Sequence, residues 1–182
     1  MNTQTLILAI LNFGDATGYE IKKKSSEGAF SFFVDISYGT IYPTLSRLEK
    51  EGLVISRSES QSGKPDKKIY AITEMGRETF KQMLDVLPQR DKFKSEFLLI
   101  GMCADLCSPD MIEKSIDQQI ADTQEILNII NELNEGCDHP STKWVAGYGL
   151  HVKQAALDYL NNNRDHLIAL AGSERAIAQA AE

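Results

Sequence analysis

The chain has 182 residues, of which 42% are hydrophobic and 25% are charged, and its formal net charge at pH 7 is −7. This composition is near the average of soluble globular proteins and argues against the disordered and fibrous classes. The apolar runs are far shorter than the roughly 18 residues of a membrane span, the first residues lack the pattern of a secretory signal, and three cysteines do not suit a disulfide framework, so we expect a cytoplasmic protein.

The acidity is confined to the second part of the chain. Residues 1–80 carry ten Lys or Arg against ten Asp or Glu, whereas residues 81–182 carry nine against sixteen. The low isoelectric point therefore does not exclude nucleic acid as a partner of the first part, because the local field decides such binding. The helical pattern weakens around Pro88, and we predict a first domain over residues 1–86 and a second over residues 87–182.

Two short helices are predicted at the start of the chain. Apolar residues at spacings of three and four indicate a helix over Thr3–Asn12, which Gly14 ends. Thr17 is followed three residues later by Glu20, which is the pattern of a capping box, and it predicts a second helix that continues to about Ser26.

A third helix is predicted over Ser37–Glu51, with Gly52 in the left-handed position that is common after helix ends. Pro43 allows two arrangements: either the helix begins near Thr40 and the proline occupies its first turn, or it begins near Ser37 and bends at Gly39 and Pro43. Ile41, Leu45 and Leu48 form the stripe expected to be buried.

The opposite face of the third helix is polar. At 100° per residue it collects no apolar side chain larger than proline, which suits the major groove of DNA. The DNA contacts predicted from this face are Gly39, Pro43, Ser46, Arg47 and Lys50, with Thr40 and Tyr42 at its margins.

A β-hairpin is predicted after the third helix. Leu53–Ser58 and Lys68–Thr73 are rich in Val, Ile, Tyr and Thr, and they flank the polar stretch Glu59–Lys67. Three helices followed by a hairpin is the order of a winged helix-turn-helix domain, and a basic hairpin tip can neutralise phosphate charge. The predicted contacts at the tip are Lys64, Lys67 and Lys68, and a solvated turn is the alternative interpretation.

The remainder of the chain is predicted to be helical. Thr73 caps a helix that begins at Glu74, an apolar stripe runs from Phe93 to Ala104, and two long helices follow, from Pro109 and from Thr142 to about Leu170. Seams of this length indicate either an intramolecular helical hairpin or a homodimer interface built from two hairpins. The residues assigned to the dimer are Ile116, Ile120, Leu127, Ile130, Tyr148, Val152 and Tyr159.

The sequence contains no pattern typical of a catalytic site. His139, His151 and His166 are scattered, and no phosphate-binding glycine loop or nucleophile motif occurs. Cys103 and Cys107 share a helical spacing, but nothing completes a metal site around them. We therefore predict neither an enzyme nor a bound metal or cofactor. A winged-helix module that binds only other proteins is the alternative to DNA binding.

Two motifs resemble those of the PadR family of bacterial transcriptional regulators. The stretch Ser37–Leu53, SYGTIYPTLSRLEKEGL, is similar to the family's third-helix signature. Gly63–Lys68, GKPDKK, with Tyr70 and the Thr73–Gly76 segment, is similar to its wing and following helix. Thr17–Ile21 also resembles its second helix.

The helical remainder resembles the longer C-terminal domain of the branch that includes phenolic-acid repressors and a virulence gene activator. This resemblance weakens from about Gly136 onward. It implies a mainly helical protein with an N-terminal winged helix-turn-helix and a C-terminal helical dimerisation domain. It further implies a homodimer on a near-palindromic promoter site, with repression as the expected effect, and it extends the DNA contacts to Ser37 and Tyr38.

The same resemblance implies a small-molecule effector, since some relatives release DNA when an aromatic acid or drug binds near the domain junction. The candidate pocket walls in this chain are Phe93, Phe97, Trp144 and Tyr148. The competing interpretation is that these aromatic residues pack in the core, as aromatic residues at helical spacing usually do.

Overall fold

A computed structural model places residues 2–26, 29–33, 37–61 and 64–173 of the chain, and the description below concerns these residues. They belong to two compact units, Met1–Arg90 and Asp91–Glu182. The first contains a winged helix-turn-helix and the second is helical, which confirms the predicted fold class. Within the described ranges, no helix combines the length and the apolar character that a membrane crossing needs.

The first unit consists of four helices and a small antiparallel sheet. Strand β3 pairs with β1 on one side and with β2 on the other. The elements are α1 (Thr3–Asn12), β1 (Ala16–Thr17), α2 (Gly18–Ser26), α3 (Ile41–Lys50), β2 (Val54–Gln61), β3 (Lys64–Ile72) and α4 (Glu74–Leu84), with 3₁₀ turns at Ala29–Phe32 and Tyr38–Thr40.

Side-chain caps define where the helices of the first unit begin. Glu20 Oε2 accepts a hydrogen bond from the Thr17 N–H at 2.7 Å, and the Glu20 N–H donates to Thr17 Oγ1 at 3.1 Å, so the predicted capping box is confirmed. The Glu20 carboxylate accepts hydrogen bonds from the Thr17 N–H and, at 2.9 Å, from the Thr17 hydroxyl, and these two bonds lower the pKa of Glu20. Thr73 Oγ1 accepts from the Gly76 N–H at 3.0 Å, which confirms the predicted start of α4.

The third helix follows the first of the two arrangements that the sequence allowed. A 3₁₀ turn over Tyr38–Thr40 precedes α3, which begins at Ile41, so Pro43 lies in the first turn. The proline ring removes no intrahelical hydrogen bond there, because the first N–H groups of a helix have no partner. Gly52 ends the helix with φ +71°, as predicted.

Helix α1 is the centre of the first unit. It contacts α2, α3, α4 and β3. Five of its apolar side chains are at most 2% exposed, on more than one side of the helix: Leu6, Ile7, Leu8, Ile10 and Leu11. Around it pack Ile21 of α2, the α3 stripe Ile41, Leu45 and Leu48, and Val54, Tyr70 and Ile72 of the sheet.

The second unit is a long helical hairpin preceded by a short helix. It comprises α5 (Glu96–Met102), a 3₁₀ turn at Ala104–Leu106, α6 (Pro109–Glu135) and α7 (Pro140–Ala169). The predicted stripe from Phe93 to Ala104 forms a helix only over α5, and Phe93 precedes that helix with 80% of its surface exposed. The two long helices confirm the predicted pair.

An ion cluster ties the two long helices together. Arg164 of α7 donates from Nε and Nη2 to the two carboxylate oxygens of Asp117 at 2.7 and 2.9 Å, and from Nη2 to Glu113 Oε1 at 2.8 Å. The hydrogen bonds from Arg164 lower the pKa of Asp117. Arg164 lies near the end of α7 and its partners lie near the start of α6, so the helices run antiparallel.

The helical hairpin of α6 and α7 buries much of the apolar seam that the sequence analysis assigned to contacts with a partner chain. Ile116, Leu127 and Ile130 are buried within the single chain, and Ile120 is half-buried. The three residues assigned from α7, Tyr148, Val152 and Tyr159, are exposed. Trp144 is also exposed, so the alternative in which the aromatic residues pack in the core of this chain is wrong for Trp144, Tyr148 and Phe93.

Gly76 is the glycine at which a side chain meets the most severe obstruction. A Cβ there would lie 2.1 Å from the Leu53 carbonyl oxygen and 2.9 Å from Ile72 Cγ1. Gly147, the eighth residue of α7, is the matched opposite case, since a Cβ there would have nothing within 4 Å. The sequence analysis did not detect this difference, because both glycines lie within helices.

We predict opposite effects for alanine at these two glycines. Gly76→Ala forces the backbone of Leu53 away from α4 and should lower the free energy of unfolding by about 1–3 kcal/mol. Gly147→Ala removes the entropic cost of a helical glycine and should raise it by about 0.5–1 kcal/mol. Urea unfolding followed by circular dichroism measures both, and equal effects of the two substitutions would contradict the close approach at Gly76.

Candidate nucleic-acid interface

Helix α3 has one fully buried side and one solvent-exposed side. Ile41, Leu45 and Leu48 are 0% exposed, which fixes the helix against the core of the first unit. The residues predicted to face DNA from within this helix are exposed, namely Tyr42, Pro43, Ser46, Arg47 and Lys50. The burial of the apolar stripe therefore turns the polar face outward.

The start of α1 lies beside the start of α3. Thr40 Oγ1 donates to the Ser37 carbonyl oxygen at 2.6 Å and lies 3.1 Å from Thr3 Oγ1. Ser37 and Gly39 are exposed, whereas the side chain of Tyr38, another predicted contact, lies outside the described residues. The polar surface thus continues from α3 onto the first turn of α1.

Arg47 is held by neighbours within the chain. Its Nη2 donates to Gln4 Oε1 of α1 at 2.9 Å, and its Nε lies 3.9 Å from Glu51 Oε1, one turn further along α3. Gln4 was missed by the sequence analysis, since no local pattern links residues that are 43 positions apart. The bond joins an exposed guanidinium to a neutral amide, so it can be exchanged for a bond to another acceptor.

Tyr42 is positioned by the second helix. Its ring lies so close to Gly18 that a Cβ at that glycine would be 2.6 Å from Tyr42 Cε1. More than half of the tyrosine side chain remains exposed. The absence of a side chain at the first residue of α2 therefore allows α2 and α3 to approach closely, with the tyrosine at the edge of the polar face.

The hairpin is longer than the sequence predicted, because pairing continues through the polar stretch to Gln61 and Lys64. Lys67 pairs with Glu59 and Lys68 pairs with Ser58, so the two neighbouring lysines lie on opposite faces of the hairpin. Both are exposed. The side chain of Lys64 lies outside the described residues.

Lys68 is bound within the chain. Its Nζ donates to Glu49 Oε2 at 2.9 Å and lies 5.1 Å from the centre of the Tyr70 ring. Glu49 also accepts a hydrogen bond from Ser56 Oγ. The bonds from Ser56 and then Lys68 lower the pKa of Glu49, and its carboxylate raises the pKa of Lys68. At neutral pH the pair is therefore fully charged.

Arg57 is a further cation of the hairpin that the sequence analysis did not single out. It lies on the face of Lys67, because side chains two apart on a strand and their cross-strand partners share a face. Its Nη1 donates to Asp15 Oδ2 at 2.6 Å. Its position in the predicted first strand of a basic hairpin, Leu53–Ser58, could have identified it from the sequence.

The residues proposed as pocket walls are only partly brought together. The rings of Trp144 and Tyr148 stack with 6.3 Å between their centres and 11° between their planes. An open hollow of about 420 Å³ is lined by Pro140, Ser141, Trp144 and Val145. Of the predicted walls, Trp144 therefore lines this hollow, whereas Phe93, Phe97 and Tyr148 are not among its lining residues. Within the described ranges, no three His, Cys, Asp or Glu side chains are grouped so that they could hold a metal ion.

Comparison with known proteins identifies one family. Residues 7–82 match the Transcriptional regulator PadR-like family. The Negative transcriptional regulator PadR of Bacillus subtilis is 31% identical over 94 residues, which are 51% of this chain and 51% of that protein. The match therefore spans about half the length of this curated relative.

Solved structures extend the likeness to both units. The crystal structure of smu.1604c from Streptococcus mutans UA159 superposes with a TM-score of 0.76 at 30% identity, over 91% of this chain and 99% of that one. Bacillus subtilis PadR in complex with operator DNA gives 0.71 at 22% identity, over 90% and 98%. The same protein with p-coumaric acid gives 0.65 at 20% identity, over 90% and 97%.

The Vibrio cholerae virulence activator AphA gives a TM-score of 0.62 at 21% identity, over 93% of this chain and 100% of that one. At such identities, the likeness to the Bacillus subtilis and Vibrio cholerae structures shows the fold alone. The fold shared with these structures agrees with the helical second domain that the sequence analysis expected.

Proposed function

Because this chain belongs to the PadR-like family of transcriptional regulators, a family of regulators and not of enzymes, we propose that it represses transcription as a homodimer on a near-palindromic promoter site. In this proposal, α3 enters the major groove and the hairpin of β2 and β3, the wing, contacts the adjacent backbone. The observation that supports it most is the complete burial of one side of α3 together with the exposure of its polar side.

The polar side of α3 has the chemistry that DNA recognition needs. A guanidinium can donate two hydrogen bonds to the major-groove edge of guanine, and the hydroxyl groups of Thr40, Tyr42 and Ser46 can donate to phosphate oxygens. When Arg47 turns toward a base, it gives up an exposed hydrogen bond to Gln4 and an exposed ion pair with Glu51. Lys50 adds a second cation to the same face.

The wing supplies a second place of contact. Lys67 and Arg57 share one face of the hairpin, and both side chains are exposed. We assign phosphate neutralisation to this face and to Lys64 at the start of β3. The seven excess negative charges lie in the second part of the chain and leave the first unit close to neutral, so the overall charge does not oppose this assignment.

The proposed dimer uses the outer side of α7. Trp144, Tyr148, Val152 and Tyr159 follow one another at helical spacing, and each is between 48% and 73% exposed. The buried side of α7, with Leu157 and Leu160, already packs within the chain. An aromatic stripe of this kind on a helix surface is typical of a protein interface, and we assign it to a second copy of the chain.

We also propose a small aromatic effector. The stacked rings of Trp144 and Tyr148 and the hollow beside them offer a flat apolar surface, and Bacillus subtilis PadR has been solved with p-coumaric acid. Because Trp144 lines the hollow and also belongs to the proposed dimer stripe, effector binding and dimerisation would be coupled. Phe93 and Phe97 have less support as walls, since neither lines this hollow, whereas Tyr148 stacks on Trp144, which does.

The first prediction from the proposed function concerns Arg47. Arg47→Ala removes a bidentate base contact and should lower the affinity for the chain's own promoter DNA by about 1–3 kcal/mol. Arg77→Ala is the matched control, because Arg77 of α4 also donates to a neutral amide, that of Asn12 at 3.0 Å. Gel-shift titration measures both. An equal loss of affinity in the two variants would remove Arg47 from the interface. If the wild type shifts no promoter fragment even at low salt, a module that binds only other proteins is favoured.

A second prediction concerns the salt dependence of binding. Lys67→Ala should reduce the slope of log affinity against log salt concentration by about one unit, since one phosphate contact is lost. Lys64→Ala combined with Lys67→Ala should reduce it by about two units. Lys114→Ala, on α6, should leave the slope unchanged. Fluorescence anisotropy at several salt concentrations gives these slopes, and an unaltered slope in both wing variants would place the wing away from phosphate.

A third prediction concerns the oligomeric state. Tyr148→Lys places a charge in the centre of the α7 stripe and should convert the dimer into a monomer. Gln154→Lys adds the same charge to an exposed position of α7 outside the stripe and should leave the dimer intact. Sedimentation equilibrium distinguishes the two states. A wild type that is monomeric at all concentrations, or a Tyr148→Lys variant that remains dimeric, would refute the assigned interface.

A further inference from the structure

Glu49 connects the third helix to both strands of the wing. One carboxylate oxygen accepts a hydrogen bond from Ser56 Oγ on β2, and the other accepts one from Lys68 Nζ on β3 at 2.9 Å. Glu49 follows the buried Leu48 and precedes the exposed Lys50. The carboxylate therefore lies at the border between the core side of α3 and its polar side.

The two donors are placed on one face of the wing by the strand register. Ser56 pairs with Tyr70 and Ser58 pairs with Lys68, so Ser56, Lys68 and Tyr70 share a face. Tyr70 is buried, which shows that this face is turned toward the body of the unit. Lys68 is thus held by the carboxylate and by the tyrosine ring, while Lys67 lies on the other face.

A carboxylate at this place opposes DNA binding if charge alone is considered. It stands one residue from Lys50 on the helix proposed to enter the major groove, where each negative charge repels phosphate. A glutamate is understandable at this position if its two hydrogen bonds are needed, because a side chain without two acceptor oxygens could not hold Ser56 and Lys68 together. The bonds join the two parts of the first unit that must fit one DNA site at the same time.

We propose that Glu49 is a positioning residue that sets the wing at a fixed place relative to α3, so that both engage one DNA site together. This inference rests on the proposed DNA-binding function. In this arrangement Lys68 holds the wing through Glu49 and does not neutralise phosphate, in contrast to the role that the sequence analysis gave it. Lys67 remains available for phosphate.

The test compares Glu49 with Glu78, an exposed glutamate of α4. Glu49→Gln removes the charge and cannot keep both bonds, because an amide that accepts from Ser56 presents its NH₂ group to the Lys68 ammonium. Glu78→Gln removes the same charge from a helix that the proposal places neither in the groove nor in the wing. Affinity is measured for the chain's own promoter fragment and for a duplex of random sequence, and the ratio of the two is the readout.

We expect the two variants to differ in their effect on this ratio. Both should bind random duplex slightly more tightly, since one repulsive charge is gone. Glu49→Gln should lower the ratio of promoter to random affinity about tenfold, which corresponds to about 1.4 kcal/mol. Glu78→Gln should leave the ratio unchanged. If Glu49→Gln behaves as Glu78→Gln does, the positioning role is refuted.

Two further variants keep the inference testable if Glu49→Gln fails to fold. Ser56→Ala breaks one bond without changing the charge and should lower the same ratio. Lys68→Met should also lower it, and, unlike Lys67→Ala, it should leave the salt slope unchanged because no phosphate contact is lost. In the variant that combines Glu49→Gln with Lys68→Met, the loss should not exceed that of the larger single change, as expected for residues that act through one another.

The outcomes separate this inference from the function on which it rests. A wild type that binds promoter and random DNA equally would refute the proposed function and the positioning role together. A wild type that prefers its promoter, with unchanged ratios in Ser56→Ala and Glu49→Gln, would refute the positioning role alone. A salt slope that falls by about one unit in Lys68→Met would return Lys68 to the phosphate contacts.

Discussion

The burial of α1 is the constraint on which the first unit depends. A ten-residue helix with Leu6, Ile7, Leu8, Ile10 and Leu11 on several sides cannot satisfy its apolar surface with one neighbour, so helices and sheet must surround it. One of those neighbours is α3, whose Ile41, Leu45 and Leu48 are held without any exposed surface. The direction in which the polar side of α3 points is therefore a consequence of how the core closes around α1.

Polar and close contacts also hold α3 against its neighbours. Gln4 of α1 bonds to Arg47, and Thr3 lies beside Thr40 just before α3. Gly18 of α2 leaves room for Tyr42, and Lys68 of the wing bonds to Glu49. Two cations of the proposed interface, Arg47 and Arg57, are held by exposed bonds whose loss in favour of DNA costs little free energy. The first unit presents a surface that is prepared for an anionic partner without carrying an excess of positive charge.

Much of this could be predicted from local pattern. The capping box of Thr17 and Glu20, the helix start allowed by Pro43, the turn at Gly52 and the two long helices depend on residues close together in the chain. Strand β1 could not be predicted, because two residues form a strand only when β3 lies beside them. Gln4, Glu49 and Asp15 could not be predicted as partners either, because they contact residues that are 43, 19 and 42 positions away in the chain, respectively. The spacing of residue types along the sequence does not reveal such distant pairs.

The second unit shows that the spacing of apolar residues alone does not identify the partner of a helix. The apolar seam of α6 was correctly placed, but a seam does not specify whether its partner is the next helix of the same chain or another chain. In the structure α7 covers Ile116, Leu127 and Ile130, and a different stripe is left on the outer side of α7. That stripe carries Trp144, the single tryptophan of the sequence. The tryptophan fluorescence of the molecule consequently comes from one position on this stripe. A change in its wavelength or quenching therefore reports that something covers the stripe there, with no attached dye.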